Sequence, residues 1–204
     1  VLEVCDYIMA GEVHNGFCAI RPPGHHAEIA QAMGFCIFNN IAIAARYLQY
    51  TYNIRKIAII DWDAHHGNGT QHIFEADPSV FYISLHQFPF YPGTGNVDEI
   101  GIGPGYGYTL NIPMNPGSND KNYKSAFTEI IIPALDHFQP EFILISAGFD
   151  AHKSDPLSSL NVSSSAYYMF TRMLLDIAHQ YYNKHVLVVL EGGYEINSMI
   201  ESVD

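Results

Sequence analysis

Lys56-Ile57-Ala58-Ile59-Ile60-Asp61-Trp62-Asp63-Ala64-His65-His66-Gly67-Asn68-Gly69 joins an apolar run to a burst of acid and imidazole. The run up to Ile60 reads as a strand buried on both faces, the kind found inside a parallel sheet. Side chains alternate along extended chain, so Asp61, Asp63 and His65 are expected to project to one side. Two carboxylates and an imidazole converging where a buried strand ends carry a heavy desolvation cost without a positive partner. A divalent cation satisfies all three. An N-cap aspartate with satisfied loop histidines is the alternative, and three such residues at period two, with His66 beside them, weigh against it.

Outward from this segment, short β-branched runs alternate with longer amphipathic ones. Strands are expected at 17–20, 56–62, 80–86, 108–113, 141–147 and 185–190. Helices are expected at 38–52, where Phe38, Ile41, Ala45, Leu48 and Tyr52 recur at helical spacing, and at 123–138, with Asp120 as cap and a kink at Pro133. A third follows Ser163–Ser165 and carries Tyr167, Phe170, Met173, Leu174, Ile177 and Tyr181. The pattern predicts one α/β domain over residues 1–204, an open, mostly parallel sheet with helices on both faces. In such sheets ligands bind beyond the carboxyl ends of the strands. Asp61, Asp63 and His65 follow one strand, Ser84 and His86 end another, Asp150 and Asp155 follow a third, and Glu191–Tyr194 follow a fourth. All four point to one site. The glycines at 101, 103, 105 and 107 lack GxGxxG spacing, which argues against a dinucleotide fold.

Composition narrows the partners. With 48% hydrophobic and 15% charged residues, the 204-residue chain has the makings of a globular core. A formal net charge of −12 argues against direct nucleic-acid binding and suits a cationic substrate such as a Lys-rich peptide or a polyamine. Cys5, Cys18 and Cys36 form no CxxC pair, and Cys18 and Cys36, in apolar context, read as buried reduced thiols of an intracellular compartment, cytoplasmic or, in a eukaryote, nuclear. No apolar run reaches membrane-spanning length. The chain opens and closes inside helix-like segments and reads as a fragment, truncated at both ends; oligomerisation is left open.

Asp63 and His65 supply two metal ligands, and a catalytic site needs a third. Asp155, in Gly148-Phe149-Asp150-Ala151-His152-Lys153-Ser154-Asp155-Pro156, is the favoured third, its turn stiffened by Pro156; Asp150 is the competitor. Arg21-Pro22-Pro23-Gly24-His25-His26-Ala27 adds adjacent histidines on a stiff loop, with Asp61 and Asn68 as acceptors for their second nitrogens. In Gly192-Gly193-Tyr194, glycines let backbone approach a ligand and a phenol can donate to a developing oxyanion.

RPPGHHA (21–27), GFCIFNN (34–40), DWDAHHGNG (61–69), SLHQFPFYPGTG (84–95), SAGFDAHKSDP (146–156) and LEGGY (190–194) together resemble the zinc-dependent histone deacetylase family, on its class II-like side and including bacterial amidohydrolases. The resemblance implies an arginase/deacetylase-like fold and one Zn²⁺ held by Asp63, His65 and Asp155. It implies His26 as general base and acid, His25 as its electrostatic partner tied to Asp61, Asn68 in support, and Tyr194 polarising the scissile carbonyl. Phe35 and Tyr91 match the aromatic walls around the acyl-lysine chain, with a Gly34 carbonyl lining the tunnel, and Gly192 and Gly193 are expected to bring backbone close to the substrate. Structural K⁺ is implied at Asp61, Asp63, His65, Ser84 and Leu85, and at Phe74, Asp77, Val80 and Tyr108. Val162 falls where relatives selective for acetylpolyamines carry a gatekeeping Glu. The implied activity is removal of acetyl or acyl groups from lysine side chains of a peptide or protein. Small acetylated amines are the alternative substrates, and an inactive acetyl-lysine-binding scaffold is the alternative role.

Overall fold

The structure is a computed structural model that describes residues 1–181 and 185–204. Among these, six strands form one sheet: β1 (Asn15–Cys18), β2 (Ile57–Asp61), β3 (Val80–Gln87), β4 (Thr109–Met114), β5 (Phe142–Ala147) and β6 (Val186–Leu190). Their order is β1-β6-β5-β2-β3-β4, and every pairing is parallel. The helices are α1 (Leu2–Met9), α2 (Asn40–Tyr52), α3 (Asn68–Phe74), α4 (Asp120–Ala126), α5 (Ile132–Phe138), α6 (Ser164–Tyr181) and α7 (Ile196–Val203).

Strand alternation sorts the core into two layers. Ile57, Ile59, Tyr82, Phe142 and Leu144 pack with Cys5, Ile8, Ile41 and Leu48 of α1 and α2. Ala58, Ile60, Ile83, Ile143 and Ile145 face the other way, onto Tyr123, Leu135, Phe170 and Leu174 of α4–α6. Each such side chain contributes about 1.5–3 kcal/mol by leaving water. Trp62 and Ala64 continue the second layer past the end of β2. The intervening Asp61, Asp63 and His65 are thereby turned away from that core.

The strand order places the site. From β2 the chain builds outward through β3 to β4, then returns to lay β5 on the other side of β2. The carboxyl ends of β2 and β5 therefore flank the reversal point, where an open parallel sheet leaves a crevice.

Several local expectations are corrected. The first strand lies at Asn15–Cys18 because Asn15 registers with Val186, and the chain then turns tightly, Ile20 N–H donating to the Cys18 carbonyl at 2.9 Å. Phe38 precedes α2 and is exposed; Asn39 caps that helix by accepting from Ala42 N at 3.0 Å. Asn119, in a capping box with Asn122, caps α4, while the Asp120 carboxylate accepts from Ser163 N and Oγ. At Pro133, which has no N–H, the chain widens into a π-turn over Phe127–Ile131 before α5 begins. Tyr181 closes α6, and its side chain lies outside the described part.

Candidate active site

Asp63, His65 and Asp150 offer ligand atoms that all lie within 4.8 Å of one another. Asp63 and His65 occupy the bends after β2, and Asp150 follows β5 across the reversal point. His65 Nδ1 stands 2.8 Å from Asp150 Oδ2 and 3.2 Å from Asp63 Oδ1. Backbone donors fix both carboxylates: Gly192 N–H donates to Asp63 Oδ2 at 2.8 Å and Ala64 N–H to Asp150 Oδ1 at 2.8 Å. A β-carbon on Gly192 would lie 2.5 Å from Asp150 Oδ2 and 2.6 Å from Asp63 Oδ2, so only glycine lets this backbone reach the carboxylates. Burial and then the Asp63 charge push Asp150 up to about 7. Two buried carboxylates and one imidazole at this spacing are a donor set that fits a divalent ion, zinc and iron included.

Asp155 is not part of the group. Its Oδ2 accepts from Tyr194 N at 2.7 Å and Glu195 N at 3.3 Å, and its Oδ1 from Leu157 N at 2.9 Å. The sequence offers two aspartates after β5. The nearer emerges straight from the strand end, whereas the farther lies beyond a turn and is consumed by backbone N–H groups. Asp150 thus takes the place expected of Asp155.

The tandem histidines sit beside this group. His25 Nδ1 bonds Asp61 Oδ2 at 2.9 Å, and Tyr82 O–H donates to the same oxygen at 3.1 Å. His26 Nδ1 bonds Asn68 Oδ1 at 2.8 Å. The rings lie 4.1 Å apart but their surroundings oppose one another. Burial disfavours charge on His25, yet Asp61, Asp63 and Glu191 outweigh it and hold its pKa well above the usual imidazole value. Burial and then the charge of His25 push His26 down to about 3. His26 is therefore neutral, with Nδ1–H donated to Asn68 and the Nε2 lone pair free.

Both histidines, with Asp63 and His65, line a cavity of about 50 Å³ whose other walls include Gly34, Phe35, Tyr91, Leu157 and Tyr194. Phe35 is 70% exposed and Tyr91 47%, the two rings standing at the mouth. Phe35 lies 6.1 Å from the Tyr194 ring and Tyr91 5.2 Å from the His26 ring.

The family model described as "Histone deacetylase domain" matches residues 1–204. The chain belongs to the histone deacetylase family. It is 47% identical over 188 residues to histone deacetylase 14, chloroplastic, of Arabidopsis thaliana, covering 92% of this chain and 44% of that protein. It is 45% identical over 199 residues to a probable deacetylase of Archaeoglobus fulgidus, covering 98% of this chain and 55% of the relative. Among solved structures, the HDA15 HD domain superposes with a TM-score of 0.94 at 46% identity, over 99% of this chain and 58% of that one. This histone deacetylase-family chain thus spans about half the length of the relatives it matches.

The family's remaining expected positions fall as follows. Asp61 and Ser84 sit opposite one another in the β2–β3 register, with Leu85 next, and Ser84 Oγ pairs with His86 Nδ1 at 2.9 Å. Phe74, Asp77, Val80 and Tyr108 gather near the amino end of β3, where the Phe74, Asp77 and Tyr108 carbonyls accept from Asp77, Val80 and Tyr82 N–H groups. Gly193 has φ +139°, and the Gly34 carbonyl accepts from the Cys36 thiol at 3.3 Å. Val162 is fully buried and does not line the cavity, whereas Leu157 does.

Glu191, expected at the site end of the sheet but given no chemical part there, is fully buried. Its Oε2 accepts from Gly24 N at 2.7 Å and His25 N at 3.1 Å, and its Oε1 from Ser146 Oγ at 2.9 Å. It fastens the histidine loop to the ends of β5 and β6. A charge placed directly after the apolar run of β6 was the available signal. Tyr82, inside an apolar strand, gave none.

Proposed function

We propose that the chain is the catalytic part of a metal-dependent amidohydrolase that removes acetyl or acyl groups from lysine side chains. The observation that carries this reading is the Asp63–His65–Asp150 group lying beside the His25–His26 pair, with Asp63, His65 and both histidines lining one narrow cavity. Asp63, His65 and Asp150 would hold one zinc ion, which when bound supplies Lewis acidity to a carbonyl and lowers the pKa of water to about 7.

The chain's own residues supply the rest. His26 Nε2 accepts a proton from the attacking water, because its Nδ1–H is committed to Asn68. His25, kept charged by Asp61, stays a cation beside the developing negative charge. Tyr194 donates its hydroxyl to the carbonyl oxygen as that oxygen gains charge. His26 then returns the proton to the departing amine. Phe35 and Tyr91 flank a mouth that suits the thin methylene chain of lysine. Leu157 gives this mouth an apolar edge, which favours an acetyl-lysine peptide over a second cationic centre. We further propose K⁺ at the Asp61–Ser84–Leu85 and Phe74–Asp77–Val80–Tyr108 positions as structural ions. The three free buried cysteines fit a reducing, cytoplasmic compartment. Among the described residues, no helix is long and apolar enough to cross a membrane.

Zinc-reconstituted protein assayed for acetate release from acetyl-lysine peptide, acetylputrescine and acetylspermidine tests the reading. Release from the peptide foremost is expected. Tight peptide binding without acetate would establish a scaffold instead.

A further inference from the structure

The loop after β6 carries Tyr194 on two successive glycines, Gly192 and Gly193, the most permissive backbone available. A hydroxyl that must meet a developing oxyanion cannot be left on such a hinge, since a displacement of about 1 Å can cost ~10²-fold in rate. The described contacts show how the loop is held. Glu191 is tied to the histidine loop, and Gly192 is bonded on both sides, its N–H to Asp63 Oδ2 and its carbonyl accepting from Phe149 N at 2.9 Å. Past the second glycine, the Tyr194 and Glu195 N–H groups both donate to one atom, Asp155 Oδ2, while the Glu195 carbonyl accepts from Ser198 Oγ and Met199 N–H at the start of α7. Its other oxygen holds Leu157 N–H, and the residue is 7% exposed. The ring of Tyr194 lies 6.1 Å from the Phe35 ring and 5.9 Å from the Arg21 guanidinium.

We infer that Asp155 is a positioning residue for the reaction: one buried carboxylate locks the backbone of Tyr194 to the rim at Leu157, so that the phenol is aimed before substrate arrives. This deepens, and rests on, the role of Tyr194 proposed above. Asp155 lies outside the Asp63–His65–Asp150 group and acts through the loop. In Asp155→Asn one oxygen can still serve Leu157, but the amide NH₂ then confronts the Tyr194 N–H. The released loop should lower kcat while leaving ground-state binding in place.

The test is a double-mutant cycle in zinc-reconstituted full chain with an acetyl-lysine peptide, using Asp155→Asn, Asp155→Ser and Tyr194→Phe. Asp155→Asn is expected to lower kcat about 10–50-fold with KM within about twofold, and to keep zinc content at the wild-type value while the melting temperature falls by several degrees. In the Tyr194→Phe background the same change should cost less than about threefold, because the group it positions has been removed. Multiplicative losses would show a merely structural role and overturn the inference, as would a drop in zinc content, which would make Asp155 a ligand. Wild-type kcat in Asp155→Asn, with Tyr194→Phe impaired, sinks the positioning role alone. A fully active Tyr194→Phe would instead sink the mechanism beneath it. If both Asp155 variants fail to fold, the carboxylate is a stability element and the inference falls.

Discussion

The floor of the site and its rim are built by different means. On the floor, Asp61, Asp63, Asp150 and Glu191 are at most 1% exposed, and each carboxylate has partners fixed by strand ends or by backbone N–H groups. At the rim, Phe35, Tyr91 and Leu157 are between 40% and 70% exposed and stand on turns between elements. The floor is rigid because every displaced polar atom there would be left buried and unpaired, at about 1–3 kcal/mol each. The rim has no such penalty. Chemistry should therefore reside in the floor and selectivity in the rim, and substitutions should separate the two.

The largest effect is expected at the metal group. Asp63→Asn or Asp150→Asn should abolish zinc retention and remove several kcal/mol of transition-state stabilisation, about 10³-fold or more in kcat/KM. Chelation of wild-type protein should do the same, with activity restored by added zinc. His26→Ala comes next, with a loss of about 10²–10⁴-fold in kcat at unchanged zinc content. Equal kcat for wild type and His26→Ala would dissolve the distinction between floor and rim. Tyr194→Phe should cost about 10²-fold, again in kcat. The rim comes last: Phe35→Ala should raise KM for the peptide about tenfold by removing roughly 1–2 kcal/mol of apolar contact, with kcat nearly unchanged. A kcat effect there as large as that of His26→Ala would mean that the rim takes part in the chemistry.

What could be read from the sequence follows the same division. Residues that leave a buried strand inherit its alternation, so Asp61, Asp63 and His65 were legible one after another from Ile57–Ile60. The parallel sheet was legible because its strands are apolar on both faces. The α3 helix was not, because Gly67-Asn68-Gly69 has turn chemistry and the segment is helical through its tertiary setting. Asp150 and Asp155 were both visible, but choosing between them required knowing which backbone N–H groups the loop would bring to each. Only the fold supplies that, by setting the Tyr194 and Glu195 N–H groups against Asp155. The pairing of Glu191 with Gly24 and His25, far apart in the chain, was hidden for the same reason.

The central claim is that a divalent ion belongs to Asp63, His65 and Asp150. A crystal structure of the zinc-loaded protein, with the ion located by anomalous scattering, tests it most directly. The ion should lie within about 2.0–2.2 Å of an oxygen of Asp63, an oxygen of Asp150 and Nδ1 of His65, with Asp155 still on the Tyr194 N–H. Zinc bonded to Asp155 in place of Asp150 would contradict the account.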